Sequence, residues 1–129
     1  KANNSKAALY MTHAFVEPHK DFEVNQISII QDIYTKVGEE NNVLVIPVGL
    51  AFDIAYKELP DIKLHHDDGT HPNLKGTYLA ACTVFASIYG ESPIGLKYDY
   101  YGAINKDDKK LLQEIAHKAA LKYLKRTIN

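Results

Sequence analysis

The sequence has a single cysteine, Cys82, in 129 residues. That excludes an internal disulfide framework and any zinc site built from several cysteines. It also lacks an excess of either charge: 15 Lys and Arg stand against 16 Asp and Glu, a formal net charge of -1. A polyanion would find no basic stripe, so nucleic acid is not an expected partner. No apolar run approaches the roughly 18 residues of a membrane span, and none is expected. The start, Lys1-Ala2-Asn3-Asn4-Ser5-Lys6, is polar and does not read as a signal peptide. Repeats, linkers and low-complexity segments are missing too. The compartment stays open, with a bacterial secreted or periplasmic location among the choices. What remains is a globular composition, 46% hydrophobic and 24% charged, at a length that suits one domain.

The order of segments points to an α/β fold. Ala7 to Thr12 is short and nearly all apolar, which suits a strand buried on both faces. From about Val24 the spacing turns helical: Ile27, Ile30, Tyr34 and Val37 form one stripe, with Gly38 as a natural stop. Val43 to Val48 is β-branched and reads as a second buried strand. Strand, helix, strand makes a parallel crossover unit. A short helix is predicted over Gly49 to Leu59, ended by Pro60, then a polar surface loop from Ile62 to Thr70. Asn73 is the expected N-cap of a helix from Leu74 to Tyr89, with Tyr78, Ala81, Cys82, Phe85 and Tyr89 on its inner face and Gly90 as the stop. A last helix spans about Lys106 to Lys125, with Leu112, Ile115, Ala119 and Tyr123 inward. Four helices and only two strands make an incomplete parallel sheet, because such sheets are wide and covered on both faces. The chain therefore reads as a single partial domain over 1–129.

Chemistry concentrates in His65-His66-Asp67-Asp68-Gly69-Thr70-His71-Pro72-Asn73, a loop that follows the second strand. In open α/β sheets ligands bind beyond the carboxyl ends of strands, where such loops gather. Asp68 and His71 are three residues apart across a glycine turn, so the carboxylate can fix one imidazole nitrogen and leave the other as a base. A local turn or cap would use the same spacing. His65, His66, Asp67 and His71 could also be metal ligands, but the loop has no helical His pair of defined zinc geometry; no metal and no cofactor is expected.

The longer string Asp68-Gly69-Thr70-His71-Pro72-Asn73-Leu74-Lys75-Gly76-Thr77-Tyr78-Leu79-Ala80-Ala81 resembles the last sequence block of the SGNH (GDSL-like) hydrolases. Ser92-Pro93-Ile94-Gly95-Leu96 is similar to the continuation in a bacterial branch, and the strand ends at Leu9 to Thr12 and Ile46 to Gly49 fit the family's middle section. The resemblance covers about residues 7 to 125 and is specific around 68 to 81. It implies a flavodoxin-like three-layer fold with a parallel sheet, of which this chain would be the C-terminal half. It also implies a serine acyl-enzyme esterase or deacetylase, with His71 as catalytic base, Asp68 as its orienting carboxylate and an acylated carbohydrate as one candidate substrate. The family's Gly-Asp-Ser block and its Gly and Asn oxyanion blocks have no counterpart here.

No serine of the chain is a ready substitute. Ser28 and Ser87 fall inside helices, Ser5 in the polar start, and Ser92 at the far end of the 74–89 helix. Cys82 falls on an apolar helix face and reads as an inert core thiol. His13, at the end of the first strand, is a substrate-cleft candidate. Tyr98, Tyr100 and Tyr101 form either a sugar-stacking patch or ordinary loop packing. Two function classes follow. One is a serine-dependent ester hydrolase whose nucleophile comes from elsewhere; the other is a non-catalytic binding module of the same fold. The expected partner on the free strand edge is the N-terminal half of the same domain, or a second copy of the chain.

Overall fold

The computed structural model describes residues 3–125 and 128, so Lys1 and Ala2 of the polar start lie outside the described residues. The fold is α/β. Strands β1 (Ala8–Tyr10) and β2 (Leu44–Ile46) pair in parallel, with Ala8 opposite Leu44, Leu9 opposite Val45 and Tyr10 opposite Ile46. Four helices accompany them: α1 (Gln26–Asn41), α2 (Val48–Glu58), α3 (Leu74–Tyr89) and α4 (Lys106–Leu124). Parallel neighbours need a long crossover, and α1 supplies it.

β2 has the expected burial, with Val45 and Ile46 inside. β1 does not. Ala8 and Tyr10 are exposed, Leu9 is half-buried, and burial begins only at Met11. The expectation of a strand covered on both faces over Ala7 to Thr12 is corrected accordingly. Among the described residues β1 has a partner on one edge only, and an apolar segment looks the same in sequence whether or not its covering layer is at hand.

Gly38 does not stop α1. The helix continues to Asn41 and closes at Asn42, a residue in the left-handed region (φ 49°). A Cβ at Gly38 would collide with Cγ2 of Val45, so this glycine lets α1 approach β2 closely. Of the expected stripe, Ile27, Ile30 and Tyr34 are half-buried, whereas Val37 shares an exposed apolar row with Ile29 and Ile33.

α3 begins and ends as the sequence indicates, at Asn73 and at Gly90 (φ 69°). Its inner face differs from the expected stripe. Leu79, Cys82, Thr83 and Ala86 are buried, while Ala81 and Tyr89 are exposed. The reason is that α3 packs against α4, α2 and β2 together, so its covered surface is wider than one stripe. In α4, Leu112, Ile115 and Ala119 are buried, and the half-buried Tyr123 places its hydroxyl 2.7 Å from Oγ1 of Thr35. The core centres on Phe52, Leu64, Leu79 and Leu112. Leu64 and His65 are buried, which corrects the reading of Ile62 to Thr70 as surface throughout. Among the described residues no helix is long and apolar enough to cross a membrane.

Candidate functional site

The loop 66–71 is closed at its base before it carries any chemistry. His65 and Pro72 form an antiparallel bridge, and the His66 amide donates to the His71 carbonyl at 2.8 Å. Asn73 then clamps the same point from three directions. Its backbone amide donates to the Leu64 carbonyl at 2.8 Å. Its side-chain amide donates to the carbonyls of Lys63 (2.8 Å) and His65 (3.3 Å), and its side-chain oxygen accepts from the Gly76 amide at 3.0 Å. The last bond is the helix cap that the sequence predicts. Gly76 is needed here because a Cβ would overlap the Leu64 carbonyl.

Within this ring Asp68 makes every contact its carboxylate allows locally. Oδ1 accepts from the amides of Thr70 and His71, both at 3.0 Å. Oδ2 lies 2.6 Å from Nδ1 of His71. The hydrogen bond from His71, joined by the two backbone amides, holds the Asp68 carboxyl well below the usual carboxylate range. An ionised carboxylate can only accept, so Nδ1 of His71 donates to it and Nε2 is the ring nitrogen turned away from Asp68. The His71 side chain is 75% exposed. The pair is thus an imidazole oriented by its carboxylate on a largely exposed side chain. The expected Asp68–His71 bond is present.

His13 reaches the same loop from the end of β1. Its Nε2 donates to the Thr70 carbonyl at 2.8 Å, next to His71. The ring stacks on Phe52 (centroids 4.7 Å apart, 14° between planes) and meets His65 edge-on at 4.8 Å. Beside it the Val16 amide donates to the Gly69 carbonyl at 2.9 Å. Gly69 sits at φ 71°, and a Cβ there would overlap the Val16 carbonyl. The structure brings His13 to the site as a buttress of the loop.

Sequence reasoning missed the support beneath it. Tyr56 accepts a hydrogen bond from the Leu64 amide at 3.3 Å, so its hydroxyl proton is free to go to Nδ1 of His65, 2.5 Å away. Burial, with the His13 ring adding to it, lowers the His65 pKa to about 4. His65 is therefore neutral at pH 7. The only sequence signal was that Leu64-His65 follows α2 in a stretch otherwise charged.

The remaining candidates disperse. Cys82 is buried beside Tyr78, and burial pushes its thiol up to about 11. Ser28 donates to the Asn25 carbonyl, Ser92 accepts from the Ile94 amide, and Ser5 is exposed. Ser87 is buried near the end of α3, about 20 Å along the helix from its start beside the His71 loop. Of the possible metal ligands, His65 faces Tyr56 and His71 faces Asp68; among the described residues no three such groups gather.

A second exposed feature is the turn 98–101. Tyr98, Tyr100 and Tyr101 are 56%, 50% and 94% exposed, and their rings meet edge-on with centroids 6.1–6.3 Å apart. Tyr100 and Tyr101 both lie in the left-handed region, at φ 57° and 58°. That conformation costs a non-glycine residue roughly 1–2 kcal/mol.

No protein-family model matches the chain, and no curated protein does. Among solved structures, the chain is similar to a DUF4886 family protein from Bacteroides uniformis, with a TM-score of 0.80 at 20% identity. The match covers 97% of this chain and 51% of that one, so the chain spans about half the length of its structural neighbour.

Proposed function

We propose that this chain is the Asp–His half of an SGNH-type serine ester hydrolase with a flavodoxin-like three-layer fold. The observation that carries the reading is the 2.6 Å contact between Asp68 Oδ2 and His71 Nδ1, which turns Nε2 away from the carboxylate on an exposed side chain. The dyad stands in a loop that leads directly into α3, in an α/β chain with parallel strands.

In this reading the serine comes from the rest of the same domain, docked on the free edge of β1. Three features support such a docking. The outer edge of β1 is unpaired among the described residues, the Ile29, Ile33 and Val37 row of α1 is exposed, and the structural neighbour is about twice as long. His71 Nε2 takes the serine proton as the oxygen attacks the acyl carbon. Asp68 stabilises the imidazolium that forms. The same proton then passes to the leaving alcohol, and water repeats the sequence to free the acid.

The test is hydrolysis of p-nitrophenyl acetate by the full-length protein. His71→Ala is expected to reduce turnover to background; unchanged turnover would overturn the assignment.

A further inference from the structure

We propose that the turn 98–101 is a carbohydrate-binding platform, with Tyr98, Tyr100 and Tyr101 packing on the C–H face of sugar rings. Three large side chains within four residues stand half-exposed or more, where a soluble surface ordinarily keeps single apolar groups. Two of them occupy a backbone region that favours glycine, so the turn accepts strain while presenting rings to solvent.

The underside of the turn is built to hold it. The Asp99 carboxylate accepts from the Gly102 amide at 2.8 Å, and its carbonyl accepts from the Ile104 amide at 3.0 Å. Tyr78 donates its hydroxyl proton to the Tyr98 carbonyl at 2.9 Å, and the buried Gln113 bridges that hydroxyl to the Leu96 carbonyl. The backbone that carries the rings is therefore fixed from beneath, which lowers the entropy lost on binding.

The ligand chemistry follows from the residues. Tyrosine offers a flat apolar face and a hydroxyl that can donate or accept, the combination that suits a polyol with an apolar ring face. Asp99 and Asp108 are each paired at the rim: Lys109 lies 3.6 Å from Asp99, and Lys75 pairs with Asp108 at 2.6 Å. Neither carboxylate is left free to hold a cation. The same pairs link the turn to the start of α3, three residues beyond Pro72, so platform and dyad share one end of the molecule. Binding stands without the hydrolase reading; that the bound carbohydrate is the alcohol part of the ester rests on it.

The test is affinity electrophoresis of the full-length protein through gels cast with soluble xylan, galactomannan or hydroxyethyl cellulose. Tyr100→Gly with Tyr101→Gly removes two rings and leaves the left-handed turn to the residue that prefers it. Wild-type retardation in at least one gel, reduced at least fivefold in the variant with its Tm unchanged or raised, is the expected result. No retardation in any gel, or equal retardation of both proteins, would overturn the platform. So would a wild-type dimer that the variant converts to a monomer without any carbohydrate effect, because the rings would then be a protein interface. Retardation in the gel is read without any ester turnover, so a failed hydrolase assignment and a failed platform give different results.

Discussion

Asp68 holds His71 with one carboxylate oxygen while its other oxygen is taken by the backbone amides of Thr70 and His71. The carboxylate therefore cannot swing away without giving up two further hydrogen bonds. Asp68→Asn keeps the volume but can present an amide N–H to Nδ1 and stabilise the other tautomer. In the hydrolase reading proposed above, this is expected to lower the kcat of the full-length protein by about 10²–10⁴-fold with little change in KM. A variant with wild-type kcat for p-nitrophenyl acetate would show that the pair is only a turn.

His65 makes stability depend on pH. Its folded pKa, near 4, lies below the ordinary value of 6.5, so the unfolded state binds the extra proton between these limits. Stability should be level above pH 6.5, fall as pH drops toward 4, and level off in this respect below it. The loss attributable to His65 is at most about 3 kcal/mol. Thermal melts from pH 7.5 to 4 should slope less for His65→Gln than for wild type; parallel curves would remove His65 as the cause.

Asn73 joins a helix start to a loop base, so its loss should exceed that of a simple cap. Capping alone is worth about 1 kcal/mol. The side-chain amide adds two donations to backbone carbonyls, at roughly 0.5–1.5 kcal/mol each. Asn73→Ala is expected to cost about 2–4 kcal/mol by urea denaturation. Asn73→Asp, which keeps the acceptor and loses the donors, should fall between it and wild type. Equal values for the two variants would show that the donations contribute nothing.

The free edge of β1 predicts behaviour in solution. Expressed alone, the 129-residue chain should self-associate, because Tyr10 and the Ile29, Ile33 and Val37 row expose apolar surface and β1 has one unpaired edge among the described residues. Burying such surface contributes roughly 25 cal/mol per Å². Light scattering that shows a monodisperse monomer at 100 μM would mean that this surface needs no partner.

How much of this was legible in the sequence differs from element to element. The caps at Asn73 and Gly90 and the dyad at Asp68 and His71 follow from local chemistry over three or four residues. Local rules suffice for those. Gly38 shows where they fail: a glycine in a helical pattern reads as a stop, and only the approach of Val45 reveals a packing role. The same holds for β1, whose apolar residues cannot tell which layer covers them. His65 and Tyr56 were not legible because their pairing depends on α2 turning back over the loop, a relation between residues nine apart with no motif of its own.

The closed base of the 66–71 ring bears on the order of assembly. The bonds that set Asp68 against His71 lie within eight residues, and the ring is sealed by Pro72 and Asn73 without any atom of β1's outer edge. In the reading proposed here, the proton relay forms as soon as this chain folds, and the group that arrives last is the nucleophile. Activity would then switch on at docking, with no intermediate state in which a serine waits beside an unoriented base.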